Sequence, residues 1–197
     1  SHTDAFEPPR VAREVSDGIF AYVQPDGSWW INNTGFLVGS RGVVSVDACA
    51  TERRTRAYRE AIAAVTDQPV RTLVNTHHHE DHTGADQEIM DRFGVDIYAH
   101  PRSIPLIADR LELHPYQELV WGYRVPATVS PVPDVVRTEH HAFHVVETPG
   151  HSADHICLVE PSTGWCFSGD LFARENPKFI RPEEHVGRII ASMRRIV

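Results

Sequence analysis

A short apolar run, Val70 to Asn75, leads without a break into Thr76-His77-His78-His79-Glu80-Asp81-His82-Thr83-Gly84. The run has the length of a strand and the residues behind it are ligands and charges. Any sheet that contains this strand must therefore leave its end open to a cleft. Side chains alternate along an extended segment, which sends His77 and His79 to one side and His78 to the other. His77 and His79 can thus hold one ion. Asp81 and His82 follow where the chain turns into a helix, and can aim at a second ion or a bound water a few ångströms away. Glu80-Asp81 interrupts the histidines and the block lies mid-chain, which sets it apart from a polyhistidine tag. Four candidate ligands in the spacing HxHxDH outweigh the ordinary reading of a strand-end His as a hydrogen-bonded surface residue.

Around this block the apolar pattern switches between periods. Ile19 to Val23, Gly35 to Val38 and Val43 to Val46 read as short strands, with Asp26-Gly27 and Arg41-Gly42 supplying turns. From Thr51, an N-cap residue, Ala57, Tyr58, Ala61, Ile62 and Val65 fall on one helix face that Asp67-Gln68-Pro69 closes. After the strand at Val70 to Asn75, a helix is predicted over 83–93, closed by Gly94, and then a strand at Val95 to Ala99. Between His100 and Arg137 the periodicity dissolves among six of the chain's 14 prolines, with Tyr116, Trp121 and Tyr123. Residues 101–137 therefore read as a lid-like insertion holding one short helix near Ile104 to Leu111. Ala142 to Thr148 then reads as a strand, and Ile156 to Val159 pairs with Trp165 to Ser168 across Pro161-Ser162-Thr163-Gly164. A last helix starts at Pro182 and places Val186, Ile189, Ile190, Met193 and Ile196 on one face.

Composition sets the outer bounds. With 197 residues, 41% hydrophobic and 23% charged, the chain is expected to form a single globular domain over 1–197. No apolar run approaches the roughly 18–20 residues of a membrane span, so no membrane partner is expected. Lys and Arg number 19 against 27 for Asp and Glu, a formal charge of -8, which disfavours nucleic acid as a partner. A small-molecule substrate is expected instead, and the oligomeric state is left open. Cys49, Cys157 and Cys166 form no CxxC pair, which reads as buried thiols in a reducing, cytoplasmic setting. The 13 His are the outlying number, because imidazole is the commonest metal ligand and titrates near neutrality.

Two later positions complete the pattern. His151, in Thr148-Pro149-Gly150-His151-Ser152, and Asp170, in Phe167-Ser168-Gly169-Asp170-Leu171, each follow a predicted strand, so a further nitrogen and a carboxylate become available at the same sheet end. With the strand-end Asp47 in Ser45-Val46-Asp47, the HxHxDH block, the Pro-Gly-His step and the Gly-Asp step, the chain resembles the metallo-β-lactamase superfamily from about Gly18 onward. The resemblance implies an α/β (α+β) fold, an αββα sandwich of two mixed sheets with outer helices and metals at one sheet edge. It also implies that His77, His79 and His151 hold a first metal, that Asp81 and His82 hold a second, and that Asp170 bridges them. The family supplies a further His to the second metal from a strand beyond the last helix. The sequence reads to Val197 without that step, so the expectation is a domain lacking its last elements. His185, in the first turn of the last helix, is expected to face solvent rather than replace it.

The chemistry expected of such a centre is hydrolysis. A His-bound ion with an open position lowers the pKa of water from 15.7 to about 7, and two ions can also polarise a carbonyl. Two zinc ions are expected, with iron or manganese as alternatives, acting on a thioester, ester or lactam. Asp81 is the expected orienting or proton-accepting group, Asp47 a hydrogen-bonding holder of the His loop, and His155 a support near the site. Specificity is expected in 101–137 and in Arg174 to Lys178. One alternative is a mononuclear iron enzyme similar to persulfide dioxygenases, with His77, His151 and Asp170 as a facial triad. Another is an inactive, truncated metal-binding fragment.

Overall fold

The computed structural model describes residues 12–24, 31–109, 125–172 and 180–197, with isolated positions between 112 and 119. The predicted turn at Asp26-Gly27, the residues Trp121 and Tyr123, and Arg174 to Lys178 lie outside the described residues.

Strands β1 (Ala12–Ser16), β2 (Ile19–Tyr22), β3 (Thr34–Gly39) and β4 (Gly42–Val46) form an antiparallel meander. Helix α1 (Glu52–Ala63) then crosses over to β5 (Val70–Val74), which lies parallel to β4. Two short helices, α2 (Glu80–Thr83) and α3 (Asp86–Phe93), lead to the parallel strand β6 (Asp96–Ala99). Helix α4 (Ser103–Ala108) precedes β7 (Ser130–Pro131), which closes a seven-stranded mixed sheet. The second sheet is antiparallel, in the order β11 (Trp165–Phe167), β10 (Ile156–Glu160), β9 (Ala142–Glu147), β8 (Val135–Arg137). Helix α5 (Val186–Ile196) follows.

Burial explains the layering. Ile19, Leu37, Val46 and Val74 of the first sheet meet Val136, Phe143, Ile156 and Leu158 of the second in one apolar cluster. On its other face the first sheet buries Phe20, Tyr22, Phe36 and Val43 under Tyr58 and Ile62 of α1, with Phe20 and Phe36 stacked at 4.8 Å. Leu73, Ile97 and Ala48 pack against Ile89 of α3 and Ile107 of α4. A sheet covered on both faces needs apolar residues on both, which is why β4 reads Gly-Val-Val-Ser-Val rather than alternating. The αββα sandwich expected from the resemblance is the architecture found, except that only the first sheet is mixed: the hairpin connections of the second make its described strands antiparallel throughout.

Several boundaries differ from expectation. Thr51 does cap α1, accepting from the Arg54 N–H, but the helix stops at Ala63 and leaves Val65 exposed. The helix expected over 83–93 begins earlier, at Glu80, and breaks at Gly84-Ala85 before resuming; Gly94 ends it in the left-handed region at φ 60°. In the 101–137 segment the described flanks are core, since Ile107, Ala127 and Val129 are buried and Ser130-Pro131 joins the sheet. Helix α5 starts four residues after Pro182, with the His185 ring capping it by accepting from the Arg188 N–H. Its expected apolar face is half open: Val186 and Ile190 are exposed, and Ser192 is the helix's one buried residue.

Candidate metal centre

The parallel strands β4 and β5 end side by side, and their last residues run directly into Asp47 and into Asn75-Thr76-His77. The hairpins of the second sheet deliver His151 between β9 and β10 and Asp170 in a 3-10 turn, Gly169–Leu171, after β11. The four loops meet at one edge of the sandwich.

Three ring nitrogens converge there. His77 Nε2 and His79 Nδ1 are 3.1 Å apart, and His151 Nε2 lies 3.0 Å from the same His79 nitrogen. Hydrogen bonds on the far side of two of the rings orient them. The Thr76 hydroxyl donates to Asp47 Oδ2, so its oxygen is left to accept from His77 Nδ1–H at 3.0 Å. His151 Nδ1–H donates to Glu184 Oε1 at 2.7 Å, and Glu184 is in turn held by the Arg181 N–H. Rings that donate through Nδ1 present Nε2 to an ion. Burial, then the neighbouring imidazoles, depresses the pKa of His77 and takes that of His79 down to about 3. Both are therefore neutral near pH 7, the form that ligates.

A second group forms around His82, whose Nδ1–H donates to Asp47 Oδ2 at 2.8 Å. Its buried Nε2 makes no hydrogen bond and faces Asp170 Oδ1 at 3.4 Å and Asp81 Oδ2 at 3.6 Å. Asp170 Oδ2 lies 3.4 Å from His151 Nε2, so this carboxylate spans the two groups. Burial opposes charge on His82, but the carboxylates of Asp47, Asp170 and Asp81 outweigh it and raise its pKa. Burial and Asp170 push the Asp81 carboxyl up against the pull of His82. Lone pairs crowded within hydrogen-bond range, an unpartnered buried nitrogen and an excess of carboxylate are what a cation would satisfy. The donor set fits metal ions in two adjoining places: His77, His79 and His151 in one, His77, His82 and Asp170 in the other, with donor atoms within 4.8 Å of one another.

All six residues singled out in the sequence are thus at one edge, with Asp81 at the margin of the second group. Asp47 plays the holding part expected of it, and His155 does too, accepting from the Asp170 N–H through Nε2 at 3.1 Å. His78 turns away as expected, and binds Asp154 through both its backbone N–H and its Nδ1–H at 2.9 Å. Ser103 donates to the same carboxylate, which ties the His77–His79 loop to the His151 loop. Asp154 and Glu184 were not found from the sequence. Glu184 reads as an ordinary first-turn acid, and Asp154, between His151 and His155, fits no spacing rule. His141, which carries no motif, is buried away from the site against Glu160.

The family model described as the metallo-beta-lactamase superfamily matches residues 27–194. Among curated relatives, a hydroxyacylglutathione hydrolase of Bradyrhizobium is 28% identical over 142 residues, covering 71% of this chain and 48% of that protein. The chain spans 33% and 48% of the length of two hydroxyacylglutathione hydrolases and 61% of that of a probable metallo-hydrolase of Bacillus subtilis. A metallo-β-lactamase from Pontibacter korlensis superposes with a TM-score of 0.74 at 16% identity, over 95% of this chain and 84% of that one. The protein TTHA1623 in a di-iron-bound form does so with a TM-score of 0.65 at 25% identity, over 86% and 82%.

Proposed function

The chain belongs to the metallo-β-lactamase superfamily, and on that premise we propose that it is a metal-dependent hydrolase of carbonyl substrates, thioesters first among them. The observation that carries this reading is the convergence of His77 Nε2, His79 Nδ1 and His151 Nε2, with Asp170 reaching from them to His82. We take His77, His79 and His151 as ligands of one ion, Asp81 and His82 as ligands of a second, and Asp170 as the bridge. Zinc is the proposed ion at both.

A bound ion supplies Lewis acidity, bringing the pKa of water to about 7 and polarising a carbonyl oxygen. The protein supplies orientation and proton handling. Thr76, Glu184 and Asp47 fix the far sides of His77, His151 and His82, so the ligands are aimed before an ion arrives. Asp81, its carboxyl pushed up by burial, takes the proton of the attacking water and returns it to the leaving group. A thiol leaving group, with an ordinary pKa near 8.5, needs that return least, which favours thioesters over lactams. The hydroxyacylglutathione hydrolases among the relatives carry a thioester in their name, and support the same order of trial.

The test is metal content of protein purified without chelator, followed by rates on thioester, ester and lactam panels. About two zinc ions per chain and thioester turnover are expected, with both lost in His79→Ala and in Asp170→Ala. Retained turnover in either variant would overturn the proposal. One iron per chain with oxygen uptake on a persulfide would replace it with the dioxygenase reading.

A further inference from the structure

At the opposite end of the sandwich, where β4 and β5 begin, lies a cavity of about 280 Å³ between the edges of the two sheets. Five residues of strand separate it from the metal edge, a distance of roughly 15 Å. Arg41 from the β3–β4 turn, Arg71 from β5 and Arg137 from the end of β8 all line it. None of the three makes an ion pair or a side-chain hydrogen bond among the described residues, in a chain whose acids outnumber its Lys and Arg by 27 to 19. Arg56 and Arg92, by contrast, are paired with Glu52 and Glu88.

The backbone makes room for these side chains. Gly42, at φ +136°, lies under Arg71, and a Cβ there would run into the Arg71 Cγ. The one acid in the lining, Glu139, accepts from the Ser40 N–H and has His140 beside it at 3.7 Å. Three arginines and one glutamate give the lining a formal charge of +2, and Thr72 and Thr138 are its hydroxyl residues. Guanidinium forks match phosphate oxygens in pairs, and a cleft this size holds one such group rather than a polymer backbone.

We propose that this cleft is a second binding site, for the dianionic phosphate group of a small phosphate monoester. It stands independently of the hydrolase reading, since no metal ligand takes part. The test is calorimetry and ³¹P NMR on the full chain with phenyl phosphate and inorganic phosphate, in wild type, Arg71→Gln/Arg137→Gln and His79→Ala. One monoester per chain is expected, bound equally by wild type and His79→Ala. It should bind roughly tenfold or more weakly to the arginine double variant, which gives up two charge-assisted contacts. The melting temperature of that variant should not move, because neither arginine has a partner to lose. Absence of saturable binding would overturn the site. So would binding that survives the arginine substitutions and vanishes in His79→Ala, which would put the anion at the metal edge.

Discussion

Asp47 bears more of the centre than any single candidate ligand. Its Oδ1 accepts from the Thr76 N–H at 2.7 Å, and its Oδ2 from the Thr76 hydroxyl and from His82 Nδ1–H at 2.8 Å. It does so at φ 62°, in the left-handed region where Asp is among the few tolerated residues with a side chain. Asp47→Ala should cost about 2–5 kcal/mol in urea unfolding, because it strands buried donors that water cannot reach. Asp47→Asn, whose amide oxygen still accepts, should recover part of that. A change below about 0.5 kcal/mol would remove Asp47 from this role. Gly169 is a second such point. It sits at φ +49°, and a Cβ would come within 2.6 Å of His155 Nε2 and 2.9 Å of Thr76 Oγ1. Gly169→Ala should therefore push Asp170 out of line, with a 10–100-fold loss of affinity at the second place and a matching fall in metal content per chain. Unchanged content would show that the turn can yield. Four of the six candidate ligands were legible in the HxHxDH spacing, and His151 and Asp170 because each follows a strand that ends at the same edge. Asp154 and Glu184 were not, since each meets its partner across a fold that no local pattern encodes.

Elements were legible where one periodicity governed them, and their ends were not. Thr51 marks the start of α1 by its own side chain, whereas the end at Ala63 depends on tertiary packing that leaves Val65 outside. The face of α5 was read correctly as apolar, yet periodicity says nothing about what lies opposite it. The β8–β10 sheet shows the same limit in His141, which the sequence offers as one more histidine. His141 Nε2 lies 2.6 Å from the Asp17 carbonyl and Nδ1 lies 3.0 Å from Glu160 Oε2, so both nitrogens donate and the ring is an imidazolium. Burial opposes this charge, but the Asp17 carbonyl and Glu160 raise the pKa above 6.5. Burial likewise opposes charge on Glu160, while Thr163, the Ala142 N–H and His141 lower its pKa below 4.5. The His141 contribution is complete below pH 6.5 and is lost as pH rises through the raised folded value. The Glu160 contribution is complete above 4.5 and is lost as pH falls. The gap in melting temperature between wild type and His141→Gln should thus be widest between those values and close toward alkaline pH. A gap that stays constant from pH 6 into the alkaline range would mean that the ring is neutral in the fold.

At the scale of the whole molecule, the site joins the two halves of the sandwich. His77, His79, Asp81 and His82 hang from the first sheet, while His151 and Asp170 hang from the second. The apolar cluster between the sheets holds their middles, but the ligand edge is polar: imidazoles and carboxylates meet there with ring centroids 4.2 to 5.1 Å from His77. Without an ion, the single proton that His79 Nδ1 can carry is shared between two imidazole neighbours at 3.1 and 3.0 Å. With one, the same groups become a cross-link between sheets. Ions bound to the folded state alone at about a thousand times Kd would add about 4 kcal/mol. At roughly 2–4 °C per kcal/mol for a chain of this size, chelation should lower the melting temperature by about 8–16 °C. The His79→Ala protein should start nearer the chelated value and respond little to chelator, since its first ligand set is already broken. Scanning both proteins with and without chelator tests this directly. A wild-type transition that does not move would mean that the apolar interface holds the sheets together unaided, and that the ligand edge serves chemistry alone.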